Sequence, residues 1–412
     1  MRYRNSFISI EDKHFYLYKG CISLLLLLFL MIMPDDFFGM FELYHNATPS
    51  FIDYKWLDYR FGIVQLIILI IGIILFLYHK VYSVGLVSIY FLIRELLFKN
   101  NVFTMHSYEM YLTLFVGLSF LILTIYSAQN YEQLKSFFYA FLFLNVVSVY
   151  INRILSSSVA EGSRYHASNL DVGGTGIICA ITLFYLLEIK EKKAFDYFFL
   201  IITTIALIMS GSRNSVGIFV ILLVIKLING IFRREDITKE EIRHSILRII
   251  AIAIFIVAVI LIFGHQIQEV LLTNRIFTTF LSGNIANDDS YDGRSRSIAI
   301  GLDIIKDHPF GISGWFTNLQ EETRMRGFPT FPHSDIICFY LMYGPVTIIL
   351  YIYVIIQMIK NKGIHNTFLW PLLFLLLYSI ISGGAETNFK IIYIYGVVIY
   401  LFIRTRVEYE RN

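Results

Sequence analysis

Five side chains in this sequence are of the types that handle phosphate esters. Arg213 lies in LIMSGSRNSVGIF, Arg164 in AEGSRYHASNLDVGG, Arg294 and Arg296 in DDSYDGRSRSIAIGLDIIKDHPFG, and His333 in FPTFPHSDIICFYLMYG. A guanidinium is planar and permanently charged, so it binds a diphosphate bidentately and stabilises charge that develops as the diphosphate departs. A histidine, neutral near physiological pH, can take the proton from an attacking hydroxyl. Arginines and one histidine on a common face therefore suit group transfer with a phosphate leaving group, and that chemistry needs no metal and no cofactor.

Each residue has a plainer reading beside the chemical one. Arg213 sits in a polar break between two short apolar runs, where Ser210, Gly211, Ser212, Asn214 and Ser215 make a small-residue turn. It reads equally as a guanidinium presented to solution and as an arginine snorkelling to headgroup phosphates. Arg164 precedes an apolar helix rich in Gly and Ser at its start, a place where backbone N–H groups attract an anion, and it also reads as a solvated loop arginine. Arg294 and Arg296 open SIAIGLDII, whose spacing predicts an amphipathic helix on the membrane surface. His333 follows Pro332 directly before a long apolar run; alone it would be an inert loop histidine, and its arginine company gives it weight.

Positioning these groups falls to a membrane scaffold. Apolar residues make up 57% of 412 positions and charged residues 16%, a balance foreign to soluble domains. Continuous apolar runs of about 17 to 25 residues recur along the chain, without the alternation of a barrel strand. The fold class expected is all-α, a polytopic membrane protein with about twelve transmembrane helices. Their spans are 16–34, 61–78, 81–98, 109–127, 136–154, 172–189, 196–211, 214–230, 247–264, 334–358, 367–383 and 389–403. The whole chain, 1–412, forms one integral membrane domain, with a large external loop at 265–333 between helices nine and ten.

Orientation follows from the basic residues, because Lys- and Arg-rich short loops stay cytoplasmic. Arg2, Arg4 and Lys13, the EIKEKKAF loop, the FRREDITKEEIRHSILR loop and the RTRVEYERN tail fall on one side. Both termini are thus expected in the cytoplasm, with the arginine turn, the 265–333 loop and His333 outside. The late Leu-rich run followed by MPDDFFG lacks a small-residue cleavage site and reads as the first span.

Several classes are disfavoured. Cys21, Cys179 and Cys338 have no spacing for zinc or a disulfide framework. A formal net charge of +3 concentrated near membrane faces points to the lipid bilayer, and nucleic acid is not expected as a partner. Neither a P-loop nor a dinucleotide fingerprint is present, which argues against an ATP-driven pump. Two alternatives stay open. A flippase for lipid-linked glycans would use cavity charges such as Arg94, Glu95 and Lys226, although Arg94 and Lys226 also read as snorkelling or paired. A metal-dependent transferase would use Asp35 and Asp36, which read equally as solvated aspartates at a span edge.

The sequence also resembles a family. Arg294, then DHPFGISGW after a helical spacer, then His333 with Gly344 eleven positions on, is similar to the signature region of the O-antigen ligase and O-antigen polymerase superfamily, and SGSR at 210–213 resembles its arginine turn. This sequence differs from the common pattern at Ile298, Ser334 and Met342. The resemblance implies a metal-independent, inverting glycosyltransferase of the bacterial inner membrane, acting on glycans carried by a polyprenyl diphosphate. By position, Arg213 and Arg294 would hold the donor diphosphate, with Arg164 and Arg296 as further contacts, and His333 would activate the acceptor hydroxyl. The expected partners are the polyprenyl-diphosphate-linked oligosaccharide donor and acceptor, with a chain-length regulator and a flippase in the same system. Within the family we expect the polymerase that joins lipid-linked repeat units into O-antigen or capsular polysaccharide. The chain carries no appended soluble domain for protein-directed transfer, and its 28 Tyr and 37 Phe offer sugar-stacking surface. The ligase is the alternative.

Overall fold

A computed structural model of the chain describes residues 23–28, 63–78, 89–91, 93–94, 109–128, 130–155, 165–167, 170, 172–189, 191–232, 289–312, 316–328, 332–361, 366–382 and 389–409. Among these, all regular secondary structure is helical. The helices are α1 (Ile63–Tyr78), α2 (Glu109–Ser127), α3 (Tyr131–Leu155), α4 (Val172–Glu188), α5 (Ala194–Ser210), α6 (Arg213–Phe232), α7 (Asp289–Asp307), α8 (Phe316–Met325), α9 (Asp335–Tyr343), α10 (Val346–Lys360), α11 (Leu369–Ile381) and α12 (Phe389–Tyr409). Arg164, Glu95, Asp35 and Asp36, and the expected span at 247–264, lie outside the described residues.

The bundle is built round α4. Every residue from Gly174 to Leu186 is buried, which a helix without a polar face achieves only when other helices surround it. Helices α3, α5, α6 and α11 pack against it, while α2 packs between α1 and α12. Large apolar side chains point outward from the periphery: Phe198, Ile201 and Ile205 on α5, Ile221 and Val224 on α6, and Ile349, Leu350 and Ile356 on α10. So much exposed aliphatic surface is unfavourable in water and is what lipid covers. Together with the helical architecture it makes this a polytopic α-helical membrane protein. By length and composition, Tyr131–Ile154 passes as a spanning helix, and shorter apolar helices accompany it.

The two ends of the bundle differ in chemistry. At one end, Lys192 caps the carbonyls of Leu187 and Ile189 at 3.3 and 2.7 Å, which neutralises the C-terminal dipole of α4. There Tyr131 and Thr405 share a 2.6 Å hydrogen bond, and Arg406 donates to the Lys360 carbonyl at 3.3 Å. Lys226 on α6 pairs with Glu188 and stands 5.5 Å from the centre of the Trp370 ring. The arginine turn and His333 lie at the other end.

One expected span is divided. Residues 334–358 form α9 and α10, separated at Gly344, which has φ 74°, and Pro345. Proline removes the N–H that would continue the helical ladder, and glycine alone takes this backbone conformation without strain. On the polar side, α7 lies against α9. Its Gly301 makes this approach possible, since a Cβ there would stand 2.6 Å from Ile337 Cγ2 and 3.0 Å from Pro332. Arg326, beyond α8, ties that segment to α7 through Asp303 at 2.7 Å and Asp307 at 2.5 Å, so its charge is offset by acids.

Candidate active site

The arginine turn is constructed by small residues. Helix α5 ends when Gly211 enters the left-handed region at φ 66° and donates its N–H to Ile208 O at 3.1 Å. Ser210 Oγ donates to the Leu207 carbonyl at 2.7 Å and accepts from the Ser212 N–H at 3.3 Å, while the Ser212 and Ser215 hydroxyls bond each other at 2.8 Å. These serines occupy the buried side of the turn, where backbone groups would otherwise be left without partners. Gly176 of α4 lies against them so closely that a Cβ would come within 2.6 Å of Ser212 Cβ. Arg213 then opens α6. A cation in the first turn opposes the helix dipole, so this placement does not serve the helix, and a bound anion would offset both charges.

Asn214 joins this turn to the polar layer. Its Oδ1 accepts a 2.6 Å hydrogen bond from Arg294 Nη1, across 80 positions of sequence. One turn further along α7, the buried Ser297 donates from Oγ to the Arg294 carbonyl at 2.8 Å and accepts the His333 backbone N–H at 3.0 Å. The chain after His333 is fixed from the other side: Ser334 Oγ donates to Ser379 O at 3.2 Å and the Asp335 N–H to Ser382 O at 2.9 Å. Asp335 is fully buried and accepts from the Tyr395 hydroxyl at 3.3 Å. His333 is thus anchored through its backbone and its neighbours, and its partly exposed ring packs edge-on to Phe328 at 6.5 Å.

Burial, and then the positive charge of Arg294, lower the His333 pKa below its ordinary value. Both effects disfavour the imidazolium, so the ring is held neutral and able to accept a proton.

Among the described candidates, Arg294 and His333 are linked through Ser297, and Arg213 directly precedes Asn214, the partner of Arg294, at the same end of the bundle. Arg296 is on the same helix, but two residues turn it about 200° away from Arg294. It is exposed, and its Nη2 donates to Gly327 O at 3.5 Å, toward the end of α8. Tyr165, the residue after Arg164, donates its N–H to Met209 O at 3.1 Å, next to the arginine turn.

Sequence reasoning named Asn214 only as a turn residue and passed over Ser297 and Arg153. Arg153, in the last turn of α3, stands 5.4 Å from the centre of the Tyr165 ring and donates to Met209 Sδ at 3.8 Å, adding a cation beside the turn. Its signal was a charge closing an apolar run, the same kind that drew attention to Arg213. Asn214 and Ser297 had no such signal, because small polar residues are ordinary in turns and on amphipathic helices. Among the described residues, no group of three or more His, Cys, Asp or Glu is placed to hold a metal ion.

Residues 198–352 match the family model described as O-antigen ligase. The matched segment runs from α5 into α10 and includes Arg213, Asn214, Arg294, Arg296, Ser297 and His333. No curated protein and no solved structure matches the chain.

Proposed function

We propose that this member of the O-antigen ligase and polymerase superfamily, identified by its domain at residues 198–352, polymerises polyprenyl-diphosphate-linked oligosaccharide repeat units at the outer face of the bacterial inner membrane. The family makes it a glycosyltransferase-like enzyme of glycan assembly with lipid-linked glycan substrates in a membrane. The observation that carries the mechanism is the Arg294–Asn214 hydrogen bond at 2.6 Å, because it unites the arginine turn with the helix that also holds His333.

In this reading Arg213 and Arg294 grip the diphosphate of the donor, and Arg164 and Arg296 extend the basic surface. His333 removes the proton from an acceptor sugar hydroxyl as its oxygen attacks the anomeric carbon from the face opposite the diphosphate. The new C–O bond forms while the bond to the diphosphate oxygen breaks, its electron pair leaves with the phosphate, and the anomeric configuration inverts. The arginines stabilise the charge gathered on the leaving group, and the proton passes from His333 to solvent. No step calls for a metal. Phe328, beside the imidazole, offers an aromatic face of the kind on which sugar rings pack. In the same reading the opposite end of the bundle, with the basic groups at Lys192, Lys193 and Arg406, faces the cytoplasm, as do both termini; the tendency of Lys- and Arg-rich short loops to stay cytoplasmic supports it.

The ligase is the second reading, favoured by the description of the matched domain. It differs in the acceptor, while the arginine and histidine chemistry is the same. The test is the surface and lipid-linked glycan profile of a deletion strain complemented with wild type or His333→Ala. Polymerisation predicts that the deletion leaves single repeat units, and that wild type but not His333→Ala restores a ladder. Long glycans accumulating on the lipid carrier would identify the ligase, and single units trapped on the cytoplasmic face a flippase.

A further inference from the structure

Arg94 is 4% exposed, and its guanidinium is committed to backbone carbonyls. Nη1 donates to Met342 O, Nη2 to Leu341 O at 2.9 Å, and Nε to Phe310 O at 3.2 Å. The first two acceptors belong to the last turn of α9. Leu341 O would ordinarily receive the N–H of residue 345, but that residue is proline and has none. Arg94 Nη2 and the Ile312 N–H, at 2.7 Å, take its place. A cation there also complements the negative end of the helix dipole. The third acceptor lies in the DHPFG turn that follows α7. Gly311 in that turn, at φ 82°, leaves the room, since a Cβ would stand 2.5 Å from both Arg94 Nη2 and Leu341 O. Tyr90 reinforces the contact by donating from its hydroxyl to Tyr343 O at 2.8 Å.

Helix α9 is consequently joined to the α7 segment at both of its ends. At the middle of α7, Ser297 receives the His333 N–H at 3.0 Å; after α7 finishes, Arg94 bridges the DHPFG turn to the last turn of α9. Gly301 brings the two helices into contact between these points. Arg294 rides on one helix and His333 directly precedes the other, so a slip of α9 along α7 changes the distance between them.

We infer that Arg94 is a positioning residue for glycosyl transfer, holding α9 in register with α7 so that His333 faces the diphosphate bound at Arg294. This rests on the roles proposed above for those two residues. Arg94 touches neither substrate; it replaces the missing proline N–H and thereby fixes a helix end some distance from the reacting atoms.

The test uses the full chain in phospholipid nanodiscs, as wild type, Arg94→Lys and Arg94→Met. Turnover per folded molecule is measured with a polyprenyl-diphosphate-linked glycan. In parallel, the pH dependence of His333 modification by diethyl pyrocarbonate is followed by mass spectrometry, which reports imidazole protonation whether or not His333 is the base. A displacement of about 1 Å can cost about a hundredfold in rate, so kcat should fall about a hundredfold in Arg94→Met and about tenfold in Arg94→Lys, with a smaller change in KM. The midpoint of His333 modification should move up toward the ordinary histidine value as Arg294 and His333 separate. If folded Arg94→Met keeps wild-type kcat and midpoint and loses only thermal stability, Arg94 is a packing residue and the inference fails. If His333→Ala turns over normally while Arg94→Met shifts the midpoint, the base assignment fails and the positioning role stands. Should the Arg94 variants not accumulate, Tyr90→Phe, which removes one hydroxyl from the same contact, is measured in the same way: a raised midpoint supports the inference and an unchanged one overturns it.

Discussion

The hydroxyl of Ser297 accepts the backbone N–H of His333 at 3.0 Å, one helical turn from Arg294, whose carbonyl takes the Ser297 proton at 2.8 Å. One buried serine thereby sets where His333, the proposed general base, stands relative to Arg294, the proposed diphosphate ligand. Ser297→Ala should leave the chain folded, at a cost of about 1–2 kcal/mol for the lost hydrogen bond and the N–H left without a partner. Its kcat should fall about tenfold, with donor KM changed little, because the group lost acts on alignment. Wild-type kcat in folded Ser297→Ala would remove the serine from this role.

Asn214 holds the Arg294 fork while leaving its charge intact. In Asn214→Asp a carboxylate would occupy the same position and compete directly with a diphosphate for the guanidinium. Donor KM should rise about tenfold or more, the equivalent of about 1.4 kcal/mol or more, whereas Asn214→Ala should be milder. Titrating the lipid-linked donor against both variants checks the order; equal KM values would place the diphosphate elsewhere.

The pH profile tests the electrostatic relation between Arg294 and His333. The positive charge of Arg294 works against protonation of the ring, so the His333 pKa lies below its ordinary value. Rate should therefore rise with pH on an acid limb centred below the ordinary histidine range, as the base loses its proton. In Arg294→Met the like charge is gone, the imidazolium becomes easier to form, and the acid limb should move to higher pH while maximal rate falls. An acid limb unmoved in Arg294→Met would separate the two residues electrostatically.

Gly176 tests whether the turn must be seated against α4. Valine there would drive its side chain into Ser212 and Ser215, at a site where even a Cβ would stand 2.6 Å from Ser212 Cβ. The overpacking should cost about 1–3 kcal/mol and push Arg213 out of place. Thermal unfolding should report the first effect and donor binding the second; unaltered binding in a folded Gly176→Val protein would show that the turn tolerates displacement.

What the sequence determined alone is the membrane scaffold and the identity of the charged groups. Hydropathy is a local, one-dimensional property: a run such as IVQLIILIIGIILFL must be shielded from water whatever its neighbours, and α1 at Ile63–Tyr78 lies where that run does. The SGSR turn was legible for a similar reason, because glycine and serines between two apolar runs leave the backbone little choice but to reverse. The division of 334–358 at Gly344 and Pro345 was also written locally, although the length of the apolar run masked it.

Tertiary structure decided which polar groups meet. Arg94 read equally well as a cavity charge, a snorkelling side chain or one of a pair; its acceptors, Phe310, Leu341 and Met342, are 216 to 248 positions away. Asn214 and Ser297 read as ordinary turn and helix residues until folding set them against Arg294 and His333. Hydrogen bonds act over about 3 Å. Which donor finds which acceptor across hundreds of residues therefore depends on how the helices pack, and no local pattern in the chain encodes it.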